Sequence, residues 1–400
     1  MRVSSSSFCF VMFLSVLMVS CSENDGYSDT NNSDDETTEE SKLLSEVLLD
    51  TFGSTIDFEN LENYANQEVP NYITRDNTAG NSISDEKATL GRILFYDTNL
   101  SVNNMISCAS CHQQASAFGD HNDVSLGVNG VTARHSMRLV NARFSDENRF
   151  FWDERAQTLE DQTTQPIQDH LEMGFSGEDG APSFSDVLEK LSRTDYYPLI
   201  FNHIYGDNVI TEPRIQEALA QFVRSIQSFD SPYDVGRAGV NNATQNFPNY
   251  SASQNRGKAL FLNPQNQGGV ACAGCHRPDD FSIDPNSRNN GVTGVFANEE
   301  ARDFTITRAP SLRDLVNASG NINGAFMHDA SLLTLDEVLR HYNTISLGDN
   351  PNLDNRLQGG PDQDGQQLNL TEEQIDDLVH FLQTLTGEEL YTASKWSNPF

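Results

Sequence analysis

Two short stretches carry residues whose types and spacing can do chemistry. Ser107-Cys108-Ala109-Ser110-Cys111-His112 returns in altered form as Ala271-Cys272-Ala273-Gly274-Cys275-His276, so the pattern C-x-x-C-H occurs twice. Two thiols at that spacing can each add to one vinyl group of a single porphyrin. The imidazole that follows directly can then reach the iron as proximal ligand. A zinc ribbon would place its second C-x-x-C about 15–20 residues after the first, whereas here it begins only at Cys272. A thioredoxin-like redox pair needs no His after its second Cys, least of all in both copies. The two motifs therefore predict two covalently bound haem c groups. Cys108, Cys111, Cys272 and Cys275 would attach them, with His112 and His276 as the proximal iron ligands.

The chain has 400 residues and six cysteines. Cys9 lies in a leader and only Cys21 is left over, so no structural disulfide is expected. The leader has a basic start at Arg2, an apolar run from Phe8 to Val19, and then Ser20-Cys21. The apolar run is shorter than the roughly 20 residues of a spanning helix, which predicts a secretory signal over 1–20. A small residue before Cys21 resembles a bacterial lipoprotein cleavage site with Cys21 as the lipidated residue. The expected location is periplasmic, with the membrane reached only through the lipid anchor. Export also suits haem c, which is usually attached outside the bacterial cytoplasm. Net charge is −33, and residues 23–40 hold eight Asp or Glu with no Lys or Arg. That segment reads as a disordered acidic tether. Nucleic acid is excluded as a partner, while a small basic electron donor would be steered in by the acidic surface.

The elements that must position these motifs also repeat. Leu43–Phe52 reads as one short helix. Ser84-Asp85-Glu86 caps a helix whose apolar face is Leu90, Ile93 and Leu94, and Gly91-Arg92-Ile93-Leu94-Phe95 leads to the first motif. Gly257-Lys258-Ala259-Leu260-Phe261 leads to the second. Asp153 followed by Thr158-Leu159-Glu160-Asp161 matches Asp329 followed by Thr334-Leu335-Asp336-Glu337. Each unit closes on a helix, Leu219–Ile226 in the first and Leu378–Leu385 in the second. The fold expected is mainly α, two cytochrome c-like haem domains packed together, with few or no strands. The domains are a signal peptide (1–20), an acidic tether and N-terminal extension (21–80), an N-terminal haem domain (81–245) and a C-terminal haem domain (246–400).

Leu90-Gly91-Arg92-Ile93-Leu94-Phe95-Tyr96-Asp97, the first haem motif, Phe151-Trp152-Asp153-Glu154-Arg155-Ala156, Gln162, Pro166-Ile167 and Glu172-Met173-Gly174 together resemble the bacterial di-haem cytochrome c peroxidase/MauG family. Ala309-Pro310-Ser311-Leu312-Arg313 and Met327-His328-Asp329 extend the match, which covers about residues 80–386. The resemblance implies that the N-terminal haem is peroxidatic, with Glu172 as distal acid–base group, Gln162 orienting peroxide and Trp152 coupling the two haems. The C-terminal haem would take electrons from a small c-type cytochrome or a similar donor, and hydrogen peroxide would be reduced to two waters. A homodimer is left open. Without the resemblance, Glu172 would read as a surface acid and Trp152 as core.

Three positions depart from the family pattern. The stretch Ser125–Gly130 lacks the His that closes the peroxidatic haem in many members, and His121 is the nearest. His135 stands where an Asn usually binds an interdomain calcium, with Asn323 and Ala325 at the supporting carbonyl positions. Neutral imidazole is a poor calcium ligand, so calcium is doubtful. Glu154 replaces a usual Gly. Met327, His341 and Tyr342 compete as sixth ligand of the second haem. A helix starting at Thr334 puts Tyr342 on its apolar face with Leu335, Val338 and Leu339, and His341 on the other face, solvated. The family places its ligand fourteen residues after the His of His-Asp, which implies Tyr342. Two further functions compete with the peroxidase, a non-catalytic di-haem electron carrier and a MauG-like oxidase acting on a protein partner.

Overall fold

The computed structural model describes residues 33–146, 149–360 and 363–400. The leader, Cys21 and most of the tether lie outside them. The chain divides into two parts, Met1–Leu43 and Leu44–Phe400, and both C-x-x-C-H motifs belong to the larger part. One helix runs continuously from Ser33 to Phe52. The acidic stretch therefore does not stay unstructured to residue 40. Its acids occupy the first turns of that helix, where the exposed N–H groups favour negative charge. Leu44, Leu48 and Phe52, one turn apart, are buried at the other end. Among the described residues no helix is long and apolar enough to cross a membrane.

The helical repeat is the frame. Helix Asp85–Tyr96 crosses helix Glu212–Ser225, and helix Ala252–Leu262 crosses helix Glu372–Gln383. At each crossing a glycine lets the backbones touch. A Cβ on Gly91 would stand 2.0 Å from the Ala218 carbonyl oxygen, and one on Gly257 would stand 1.8 Å from that of Asp377. The next residues, Arg92 and Lys258, are both buried. Arg92 Nε donates to the Ser397 carbonyl, and Lys258 Nζ to the carbonyls of Ala243 and Gln245. Each crossing is sealed by three aromatics, Phe95, Phe118 and Phe222 in one unit and Phe261, Phe281 and Phe381 in the other.

Two apolar cores follow from this, one around Leu90, Phe95 and Phe222, the other around Phe261, Phe281 and Phe381. The last residues leave the second core and cover the first, where Trp396 is 1 % exposed. The Trp396 carbonyl accepts from Tyr96 Oη and the Lys395 carbonyl from Tyr64 Oη. A buried ion pair, Arg313 to both oxygens of Asp234, ties the connecting segment to the second unit. Removing one partner of such a pair costs about 3–5 kcal/mol. Among the described residues, strands are confined to two of two residues each, His276–Arg277 against Ser282–Ile283, antiparallel with His276 opposite Ile283.

The crossings lead to a direct expectation. Gly257→Ala should push its two helices apart and destabilise the protein by about 1–3 kcal/mol, the usual cost of overpacking. A thermal unfolding curve unchanged from the parent's would show that the contact is not tight.

Candidate functional site

Each C-x-x-C-H opens onto a cavity. Cys108, Cys111 and His112 line one of ≈ 520 Å³, and Cys272, Cys275 and His276 line one of ≈ 280 Å³. The thiols are all unpaired. Burial pushes their pKa values up, to about 12 for Cys108 and Cys272 and about 11 for Cys111. A redox pair needs the opposite, a thiolate made easy. No group of three His, Cys, Asp or Glu among the described residues comes together as a metal cage. The His112 ring settles its own tautomer. Nδ1 is 3.1 Å from the Phe118 carbonyl oxygen, which can only accept, so Nδ1 carries the proton and Nε2 is left as a donor of electrons. Burial lowers the pKa of both imidazoles, that of His276 to about 4, which keeps them neutral as ligands must be. His276 Nδ1 is buried with no hydrogen-bond partner. Neutral imidazoles, half-buried protonated thiols and a lined cavity in each unit fit haem c at both places.

Helix Leu159–Gln168 starts at the cap Thr158, whose hydroxyl accepts from Asp161 N, and it brings Gln162 to the first cavity. The chain then turns at Asp169, whose carboxylate accepts from Leu171 N at 2.8 Å and Glu172 N at 3.1 Å. Val128 N donates to the Glu172 carbonyl, so the 125–131 loop clips Glu172 from behind. The Glu172 side chain lines the cavity, and its pKa is raised to about 7, first by burial and then by the Asp169 charge. No residue of 125–131 lines this cavity, and His121 is exposed and absent from its walls.

The two cavities share a wall that includes His135, Arg138, Trp152, Arg308, Pro310 and His328. Trp152 is held from both units. Its Nε1 donates to the His135 carbonyl at 2.8 Å, while its own carbonyl accepts from Thr307 N and Arg308 N. Arg134 bridges Asp153 and Asp303, each at 2.7 Å, across the same seam. Glu154 has an account here. Its φ is +56°, a left-handed conformation that glycine adopts freely. Its carboxylate meets Thr307 Oγ1 at 2.8 Å and Arg149 at 2.6 Å, contacts that glycine could not make. His135 turns Nδ1 toward the carbonyls of Asn122 and Asp123, at 3.0 and 3.1 Å. Its ring offers that region an N–H rather than an oxygen. Asn323 donates to the Asp314 carbonyl and to Tyr391 Oη, and Ala325 is buried beside the second cavity.

In the second unit, helix Leu335–Asn343 begins at Thr334 in a capping box with Glu337. Tyr342 and Met327 both line the cavity. Burial raises the Tyr342 hydroxyl to about 12, against a hydrogen bond from Asn290. His341 is not solvated as its helical position implied. It is half-buried, and Nε2 donates to the Asn290 carbonyl at 2.9 Å, because a carbonyl from outside the helix reaches over to it. Asn290 and the Arg134–Asp303 bridge were missed from sequence. Asn290-Gly291 carries only a turn signal there.

Similarity to known proteins agrees with this arrangement. A family profile described as di-haem cytochrome c peroxidase matches residues 85–242, and one described as cytochrome c matches 254–386. The methylamine utilization protein MauG of Methylophilus methylotrophus is 31 % identical over 314 residues, 78 % of this chain and 85 % of that one. Cytochrome c peroxidase Ccp of Escherichia coli is 26 % identical over 317 residues, 76 % of this chain and 58 % of that one. The crystal structure of a MauG-like protein associated with microbial copper homeostasis superposes with a TM-score of 0.64 at 27 % identity, over 84 % of this chain and 99 % of that one. Two helical cytochrome c-type units with facing cavities define a di-haem protein. The chain belongs to the di-haem cytochrome c peroxidase/MauG family. It is an oxidoreductase of the peroxidase type, and haem c is the cofactor that this family implies.

The electrostatics of the first cavity can be checked alone. Asp169→Asn keeps the acceptor for the turn but removes a like charge, so the Glu172 pKa should fall below about 7. It should stay above the ordinary value of about 4.3, because burial remains. Infrared titration of the carboxyl stretch reads this, and an unmoved pKa would contradict the assigned cause.

Proposed function

We propose that this protein reduces one hydrogen peroxide to two waters, taking two electrons from two reduced c-type cytochromes and two protons from solvent. The observation that carries the reading is that Glu172, poised near pH 7, lines the same cavity as Gln162, Cys108, Cys111 and His112. Covalent attachment is part of the proposal. Each thiol S–H would add across a vinyl C=C, forming a thioether with no change of redox state. His112 and His276 would be the proximal ligands and Tyr342 the sixth ligand at the second site. When bound, haem c supplies the redox-active iron and the electron reservoir. Glu172 takes a proton from one peroxide oxygen and gives it to the other, which leaves as water. Gln162 holds the peroxide by hydrogen bonding. Trp152, fixed in the shared wall, couples the two sites. A donor enters at the second unit.

Export to the periplasm and lipidation of Cys21 complete the reading. The mass of the mature N-terminus, with or without acyl chains on Cys21, decides the last point.

A second reading has its own support. Tyr342 at the second cavity and the 31 % identical relative named MauG favour an oxidase of a protein partner. Turnover of peroxide with reduced cytochrome c separates the two, and a pure carrier would show none.

Glu172→Gln should lower peroxide turnover by about 10²–10⁴-fold with both haems retained, because an amide cannot accept and return a proton. Wild-type turnover should decline as pH falls through about 7, since Glu172 must be ionised to accept. Unchanged turnover in the variant would remove Glu172 from the mechanism.

A further inference from the structure

We propose that Asn290 is a positioning residue that assigns Tyr342, rather than Met327, to the second metal site. The inference rests on the reading of Tyr342 as a ligand. Three observations carry it. Asn290 Nδ2 lies 3.2 Å from Tyr342 Oη and 3.3 Å from Met327 Sδ, so both candidate ligand atoms meet on one amide. All three side chains line the second cavity. The orientation of the amide is fixed on its other side, where Asn290 Oδ1 accepts from Val292 N at 3.1 Å. The Asn290 carbonyl accepts from His341 Nε2 at 2.9 Å, so neighbouring residues of one helix grip Asn290 at its backbone and its side chain. The nitrogen, not the oxygen, must therefore face the two ligand atoms.

A primary amide has two N–H donors, and here it has two acceptors to serve. The two bonds are unequal. A hydrogen bond to an anionic oxygen is roughly twice as strong as one between neutral groups. Thioether sulfur is only a weak acceptor. Asn290 thus stabilises a metal-bound tyrosine oxygen more than it stabilises free Tyr342. At the same time it holds a lone pair of Met327 away from any metal. Met327 itself sits at φ +70°, a conformation that its surroundings must impose. Met327 is thus the alternative ligand that the same amide holds. Sequence spacing alone distinguishes the two residues only by resemblance, whereas this contact gives a physical reason for the choice.

The test uses the oxidised holoprotein with optical and low-temperature EPR spectra of the second haem. Asn290→Asp keeps the shape and the acceptor for Val292 N but cannot donate. Asn290→Leu removes both functions at similar volume. Both variants should convert a tyrosine-type signal into a methionine-type one, with its long-wavelength charge-transfer band. In Asn290→Leu the potential of the second haem should also rise, as methionine ligation requires. The double variant Asn290→Leu/Met327→Leu should lose the methionine signal. If Asn290→Leu does not accumulate with haem, the Asp variant decides. Wild-type spectra in both single variants would overturn the proposal and leave Asn290 as packing. Tyr342→Phe separates the two levels. If that variant changes the spectrum but the Asn290 variants do not, this inference alone fails. If Tyr342→Phe leaves the spectrum unchanged, Tyr342 is not a ligand and both readings fall.

Discussion

Backbone-to-backbone contact between the opening and closing helices is the constraint on which everything else depends. At Gly91 and Gly257 there is no room for a side chain, because a carbonyl of the closing helix fills that place. Helices so close cannot shift against each other without losing packing on both faces. The motif of each unit packs against its opening helix, so the crossing also bears on where the paired thiols and the imidazole emerge. The same device, used twice, gives two cavities of the same origin. Their differences lie in the segments between the helices.

Those segments make the sites inequivalent. In the first unit the turn after Gln162 brings a carboxylate to the cavity and leaves it half-buried beside Asp169. In the second unit the matching region brings Tyr342 and Met327 against a fixed amide. The first cavity presents a carboxylate and an amide, Glu172 and Gln162, and the second a phenol and a thioether, Tyr342 and Met327. The wall between them is clamped by Trp152, by the Arg134 bridge and by Glu154, each bonded across the seam. The Trp152 carbonyl, with two donors from the other unit, holds that residue in place in the shared wall.

Much of this was legible in the sequence because local chemistry determined it. The cap at Thr334 follows from local hydrogen bonding, and the repeat that pairs Thr158 with Thr334 and Gly91 with Gly257 leaves clear spacings. The repeat made each reading in one unit a check on the other. Where tertiary neighbours decided, the sequence was silent or misleading. The helical wheel sent His341 toward solvent, yet a loop carbonyl more than fifty residues earlier in the chain covers it. The acidic stretch looked too charged to fold, yet part of it forms the start of a helix whose far end has a buried apolar stripe. Glu154 made no sense until its partners Thr307 and Arg149 were in view. Trp396, near the end of the second unit's sequence, belongs to the first core, a return of the chain that no local pattern encodes.

The central claim is that the two sites differ in closure, the first left without a protein ligand on its far side and the second closed by Tyr342. Low-temperature EPR of the fully oxidised protein tests it most directly. The account predicts one high-spin ferric signal and one low-spin signal. Two low-spin signals would contradict it, because a residue such as His121 would then have to reach a cavity whose walls it does not line.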